Sequence, residues 1–337
     1  MNRFRGIPSI GVATLLIVAV LGPSGCGPGN ESKVAVPDDS AVVLNQTAPA
    51  SPTGEDAKEP SSKDAPSRTG PSTLAAHPEG ASIIAPSGKA EREGHQAALK
   101  EAQGLILSGK AREGLIRLTD AWRNSANEEE RASAYSMLHN EVDRHVLSTG
   151  ASSEFTFDHH VQPGDNLYTL CQKWSDGLRL RVSPGLILRV NGMTDPRRLR
   201  VGMTVRVPRD QIRLEVSKAR YRLGVFLGEI LVREFPVGIG PGDRTPEGEF
   251  EIDSRLKNPP WTTPNGVIPY GDPRNILGAR WMGFRTAGGR SGLGIHGTTE
   301  PDSIGTNRSA GCVRMLNRDV EELFDIVPEG TKVRIQS

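Results

Sequence analysis

The chain has 337 residues, 36% hydrophobic and 24% charged, enough for two or three globular domains and diagnostic of no activity. Its 41 Lys and Arg nearly balance 40 Asp and Glu, which excludes a nucleic-acid binder driven by a large basic field. Three cysteines, Cys26, Cys171 and Cys312, lie in unlike settings and imply no disulfide framework.

In chain order, Arg3 and Arg5 precede an apolar run from Ile10 to Leu21, which has the form of a secretory signal rather than of a bilayer-spanning helix. Export is expected. Pro23-Ser24-Gly25-Cys26 follows and resembles a bacterial lipobox, with Pro23 standing where an aliphatic residue is usual. The resemblance implies that, of the signal and lipobox at residues 1–26, cleavage leaves Cys26 as the lipid-bearing N-terminus, giving a periplasmic lipoprotein of the cell envelope. A plain cleaved signal or an uncleaved anchor, with Cys26 incidental, is the other reading.

Residues 27–88 contain no Phe, Trp or Tyr and are rich in Pro, Ser, Gly and Ala, so they lack the apolar area that would offset ordering entropy. A disordered linker is expected, with a root-mean-square reach of roughly 40–50 Å. Residues 89–150 contain no Pro and carry apolar residues at helical spacing: Ala98, Leu105, Leu115, Leu118, Trp122, Tyr135, Leu138 and Val142. Three helices are expected, broken at Gly109-Lys110 and again before Asn127, which suits an N-cap. They read as a spacer or a partner-docking bundle.

Residues 157–208 pattern as strand, two helices and strand. Eight Lys and Arg against three Asp and Glu between His159 and Pro208 give this segment a surplus of five positive charges, which suits an anionic polymer or a solvated basic face. Its Val161-Gln-Pro-Gly164-Asp165-Asn166-Leu167 opening, central Asn191-Gly192 and closing Gly202-Met-Thr-Val-Arg-Val-Pro208 resemble the LysM module, with Asn166 where Thr is common. That resemblance implies binding to N-acetylglucosamine-containing glycan through Gly164, Asp165, Asn166, Leu167, Asn191 and Gly192. Gly164 and Asp165 equally suit a turn and a helix N-cap, and Leu167 suits the core. Cys171 falls on the inward face of the first helix, where it reads as buried and inert.

From residue 210 to 337 the pattern becomes β-rich, with Ile212, Leu214 and Val216 alternating, runs at 221–227 and 230–237, and a tight turn at Gly228-Glu229. Cys312 and His296 stand sixteen residues apart, which suits two adjacent strand ends joined by the polar loop 298–308. A thiol reacts as thiolate, so a neighbouring imidazole is expected to pull its pKa down. Gly311 permits a sharp turn with backbone N–H groups aimed at an oxyanion. Arg314, two residues on, shares a strand face with Cys312, where it suits a substrate carboxylate or an internal salt bridge. On these residues alone a buried cysteine with a structural histidine is as good a reading; a zinc site lacks ligands, and a papain-like order would place Cys before His.

His296-Gly297-Thr298 followed by Ser309-x-Gly311-Cys312-Val313-Arg314-Met315, with Thr245-Pro246-x-Gly248 upstream and Val327 to Ile335 at the end, resembles the L,D-transpeptidases with the YkuD-type domain. The implied fold is multidomain: a β-rich catalytic domain of mixed sheets with a C-terminal helix, the βααβ module, the helical segment and the linker. The implied activity is acyl transfer on the tetrapeptide stem of peptidoglycan, with release of D-alanine. Cys312 is then the nucleophile, forming a thioester, and His296 the base, oriented by the Gly297 carbonyl. Backbone N–H groups of Gly311 and Cys312 form the oxyanion hole, Arg314 binds substrate, and Ser309 bonds in the site or holds the turn. No cofactor or metal is implied. Hydrolysis by water, attachment of a protein amine to peptidoglycan and an inactive wall-binding scaffold are the alternatives. Helix 317–326 is expected to be capped by Asn317 and to buttress the site.

Overall fold

The computed structural model describes residues 87–150, 153–285 and 292–337. Cys26, the signal and nearly all of the linker lie outside the described residues. No helix among the described residues is long and apolar enough to cross a membrane.

Three helices open the described chain: α1 (Ser87–Leu107), α2 (Ala111–Arg123) and α3 (Glu128–His145). The first break falls at Gly109, whose φ of 86° a side chain would oppose, and Asn127 caps α3 by accepting from the Glu130 N–H at 2.9 Å. Next come β1 (Thr156–His160), α4 (Leu167–Leu178), α5 (Pro184–Val190) and β2 (Thr204–Pro208), with β1 and β2 paired antiparallel from Thr156↔Pro208 to His160↔Thr204. Leu167, Leu170, Trp174, Leu186 and Ile187 fill the space between them.

The remaining strands are β3 (Ile212–Ser217), β4 (Arg222–Leu227), β5 (Ile230–Pro236), β6 (Gly248–Lys257), β7 (Trp261–Thr263), β8 (Gly266–Ile268), β9 (Arg280–Phe284), β10 (Gly294–His296) and β11 (Val313–Arg314), followed by helix α6 (Asn317–Ile326) and strand β12 (Lys332–Gln336). All but the β7–β8 hairpin join one mixed sheet in the order β11-β10-β9-β6-β12-β3-β4-β5. The sheet is curled. Just past β5, Gly238 bridges to Arg314 of β11, each N–H donating to the other's carbonyl at 2.9 and 2.8 Å, so the two ends of the strand order meet. A side chain at 238 would begin 2.5 Å from the Ser303 carbonyl, which is why glycine stands at this seam. Leu214, Val216, Leu223, Val225, Ile252, Ile295, Val333 and Ile335 alternate into the core, and α6 adds Val320, Leu323 and Phe324.

The helical segment is neither a free spacer nor an open docking bundle, because it packs on the chain's own sheet. Strand β5 is the edge, and its outward N–H groups need acceptors. The Leu231 N–H donates to Thr119 Oγ1 at 3.2 Å, and the Glu234 N–H to the Tyr135 hydroxyl at 3.0 Å. Buried Arg131 pairs with Glu234 at 2.7 Å and stacks 3.9 Å over Trp122, which meets Phe226 edge to face. Helix α5 seats on α6 in turn: Ser183 Oγ donates to the Asp325 carbonyl at 2.7 Å while capping α5, and Arg189 pairs with Glu322 at 2.7 Å. Glu322 also takes the Nε–H of Arg233 at 3.1 Å, and Arg233 reaches Asp143 of α3 at 2.7 Å. Glu322 thus links the β1–β2 module to the sheet, and Arg233 carries the link on to the helical layer.

Thr119 donates to the Leu115 carbonyl while accepting from β5, and its side chain is buried. Thr119→Val keeps the shape, strands the Leu231 N–H and is expected to cost about 1–3 kcal/mol in denaturant unfolding; a loss below about 0.5 kcal/mol would show that water serves this edge instead.

Candidate active site

Strands β10 and β11 run parallel, with Ile295 beside Val313 and His296 beside Arg314. Strand side chains alternate, so Ile295 and Val313 enter the core while His296, Gly294, Arg314 and Cys312 share the other face. Cys312 therefore lies beside Gly294 and diagonal to His296, roughly 7–8 Å away between backbones. A side chain at 294 would begin 2.5 Å from the Met282 carbonyl. Bare backbone flanks the thiol as a result.

His296 is 3% exposed. Its Nδ1 lies 2.5 Å from the Gly297 carbonyl, which makes Nδ1 the N–H donor and leaves the lone pair on Nε2. The ring stacks on fully buried Trp281, with centroids 5.9 Å apart and planes 24° from parallel. Burial holds the imidazole down to a pKa of about 4; the Gly297 and Leu277 carbonyls oppose that shift and the Arg314 charge adds to it.

Cys312 is partly exposed, and its thiol donates to the Gly292 carbonyl at 3.5 Å. Burial pushes the thiol up to about 11, against the Gly294 backbone and Arg314, which lower it. The expectation of a depressed thiol is therefore corrected: desolvation outweighs both favourable contacts, and at neutral pH the pair rests as thiol and neutral imidazole.

The turn before Cys312 is held from two sides. Gly311 has φ 145°, and a side chain there would begin 2.7 Å from the Arg244 carbonyl. Ser309, 3% exposed, accepts the Gly311 N–H at 3.1 Å and donates to the Cys312 carbonyl at 2.7 Å. Of the two roles open to Ser309, the structure gives it the turn, and it takes one of the two N–H groups expected in the oxyanion hole. Arg314 pairs with Glu300 at 2.8 Å, its side chain 9% exposed and that of Glu300 58%, while its Nε is buried without an acceptor.

Of the glycan residues named from sequence, Leu167 is buried, Gly164, Asn166 and Gly192 are exposed, and the three polar side chains hydrogen-bond within the module. Asp165 accepts from the Gln162 N–H at 2.9 Å, from Lys173 at 2.8 Å and from His159 at 3.3 Å, and these partners hold its carboxyl down to about 2. Asn166 caps α4 through the Thr169 N–H, Leu167 is 1% exposed, and Asn191 spends its amide on Ile187 and Arg206. Gly164 and Gly192 have φ of 87° and 60°. Cys171 is buried and pushed up to about 12.

Residues 211–335 match the L,D-transpeptidase catalytic domain (YkuD), and residues 159–208 match the LysM domain. The putative L,D-transpeptidase YqjB of Bacillus subtilis is 41% identical over 122 residues, which are 36% of this chain and 68% of that protein. The putative L,D-transpeptidase YkuD of Bacillus licheniformis is 33% identical over 184 residues, 52% of this chain and 97% of that protein. The chain belongs to the L,D-transpeptidase family. A further relative, the probable L,D-transpeptidase ErfK/SrfK of Escherichia coli, is 33% identical over 199 residues, 53% of this chain and 60% of that protein.

Two residues of this L,D-transpeptidase support the site without having been singled out for it. Thr245 is 1% exposed; it accepts the Gly240 N–H at 2.8 Å and donates to the Gly311 carbonyl at 2.8 Å, clamping the turn before the thiol. Asn317 is not the cap of α6, where Leu316 takes that position. Its amide instead accepts the Ala279 N–H at 3.0 Å and donates to the Thr298 carbonyl at 3.1 Å, and its Oδ1 lies against Gly278 and Gly297. The sequence signal for both is local: Thr245 opens the Thr245-Pro246-x-Gly248 motif, and Asn317 follows Cys312 by five residues.

Because the thiol titrates near 11, its alkylation by iodoacetamide in the free enzyme should keep climbing through pH 9 to 10. Arg314→Ala removes a charge that favours the thiolate and should slow alkylation at pH 8. A plateau reached below pH 8 would show a preformed thiolate–imidazolium pair instead.

Proposed function

We propose that this chain forms peptidoglycan cross-links through a thioester on Cys312. The observation that carries the reading is the fixed tautomer of His296: with Nδ1–H committed to the Gly297 carbonyl, Nε2 is available as a base on the strand face that holds the thiol.

The pair starts neutral, so proton transfer accompanies attack. Cys312 Sγ bonds to the carbonyl carbon of the third stem residue as its proton passes to His296 Nε2. The oxyanion is met by the Cys312 N–H, since Ser309 holds that of Gly311. Breakage of the C–N bond releases D-alanine, which takes the proton from His296. The thioester that remains is attacked by an amine of a second stem; His296 accepts the amine proton, the C–S bond breaks, and the thiol is reprotonated. The bond energy of the first amide is kept in the thioester, so no ATP enters. A substrate carboxylate competes with exposed Glu300 for Arg314, whose buried Nε still lacks an acceptor.

The LysM segment, approximately 157–208, holds the enzyme on glycan. With Asp165, Asn166 and Asn191 spent internally, contact falls to the backbones of loops 164–167 and 191–192, beside exposed Tyr168. Export behind residues 1–26 and a lipid on Cys26 place the enzyme in the cell envelope, with residues 27–88 as its tether.

Incubated with tetrapeptide muropeptides, the full chain should release D-alanine and form cross-linked dimers, and Cys312→Ala should do neither, a loss of at least about 10³-fold. Free tripeptide without dimers would make the enzyme a hydrolase, and D-alanine release by Cys312→Ala would remove the nucleophile. Metabolic labelling with a fatty acid should tag the wild-type protein and not Cys26→Ser; an unlabelled wild type would end the anchor proposal.

A further inference from the structure

A cavity of about 310 Å³ lies where the helical segment meets the outer ends of β3, β4 and β12. None of the residues proposed for acyl transfer lines it. Its walls carry four guanidinium groups, from Arg123 and Arg131 of the helices and from Arg220 and Arg222 of the sheet, against the carboxylates of Glu215 and Glu234. Ser337 also lines it, so positive charge is in excess even when a terminal carboxylate is counted.

These charges are unequally matched. Arg131 and Glu234 form a buried pair. Glu215 is shared by Arg123, at 3.5 Å, and by Arg213 from outside the cavity. Among the described residues Arg222 pairs only with Glu128, at 3.5 Å, whose side chain is 71% exposed and correspondingly weak as a partner. Arg220 is exposed and forms no ion pair with a described residue.

A further observation points to a ligand. Trp122 Nε1 and Arg131 Nε, both on residues of the cavity wall, are buried N–H donors without an acceptor, which folded proteins seldom tolerate. The turn that carries Arg220 and Arg222 closes the β3–β4 hairpin through Tyr221 at φ 52°. That turn is anchored by the Val237 N–H, which donates to the Tyr221 carbonyl at 2.9 Å.

We infer that this cavity is a second binding site, for a carboxylate or phosphate group. Guanidinium forks suit both anions, and the excess charge lies at the side of the cavity that carries the exposed Arg220 together with Arg222, whose partner Glu128 is largely solvated. The site is composite: neither the helical segment nor the sheet supplies it alone. It gives Trp122, Arg123 and Arg131 a role that the acyl-transfer chemistry does not use. In a wall enzyme the anion has two sources, the carboxylates of stem peptides and the phosphates of anionic polymers.

The test is calorimetric titration of the full chain, carrying Cys312→Ala to prevent turnover, with inorganic phosphate and separately with a tetrapeptide stem. Saturable binding of at least one probe is expected, weakened about 10-fold or more when Arg220→Ala and Arg222→Ala are combined. Arg123→Ala, on the other wall, should weaken the same probe, and unchanged melting of either variant would show that the fold is kept. Phosphate binding alone would assign a phosphate group, and stem binding lost in these variants a carboxylate. No saturable binding of either probe up to about 10 mM, or binding that both variants leave unchanged, would overturn the inference.

Discussion

Strand β11 is two residues long, and everything at the candidate site hangs on how it is held. On one side it pairs parallel with β10; on the other, Arg314 exchanges both backbone hydrogen bonds with Gly238. A strand so short has too few ladder bonds to fix its own register, so both neighbours are needed. Shifted by one residue, it would turn Cys312 and Arg314 into the core and Val313 outward. Buried Val313 and Met315 oppose that slip on one face, and the absence of a side chain at Gly238 lets the seam close on the other edge.

The same tight closure explains the electrostatics. Trp281 against His296, and the Thr245 and Ser309 bonds around Gly311, bring dense protein up to the reacting groups. Desolvation then disfavours charge on both, lowering the imidazole and raising the thiol. Arg314 acts on the two groups in opposite catalytic senses, helping the thiolate and opposing the imidazolium.

Around this centre the three described segments share supports instead of hanging as beads. Helix α6 follows β11 after two residues, and it carries Glu322, which binds Arg189 and Arg233 together. Helix α5 presses on the end of α6, where Gly185 lies against the Asp325 carbonyl. The helical segment seals β5, the strand that leads into Gly238. The LysM module is therefore braced against the helix that leaves the thiol strand.

Much of this was written in local pattern. Period-two alternation marked β3 to β5, helical spacing with Gly109 and Asn127 divided α1 to α3, and the motif around Cys312 named a family before any coordinate, because each depends on residues close in sequence. What the sequence left open were properties of distant segments brought together. Arg314 suited a substrate carboxylate or an internal salt bridge and Asn317 a helix cap, and both were decided by partners 14 and 38 residues away, Glu300 and the loop at Ala279. The thiol's pKa went against expectation because a neighbouring imidazole can be read from spacing, whereas the dielectric around it comes from the whole packed core. The helical segment showed its amphipathic faces in sequence but not their counterpart, since an unpaired strand edge exists only once the sheet has formed. Residue types and periods thus determined by themselves which elements form and which chemistry is at hand; hydrogen-bond partners and desolvation, set by residues remote in the chain, were decided by the tertiary structure alone.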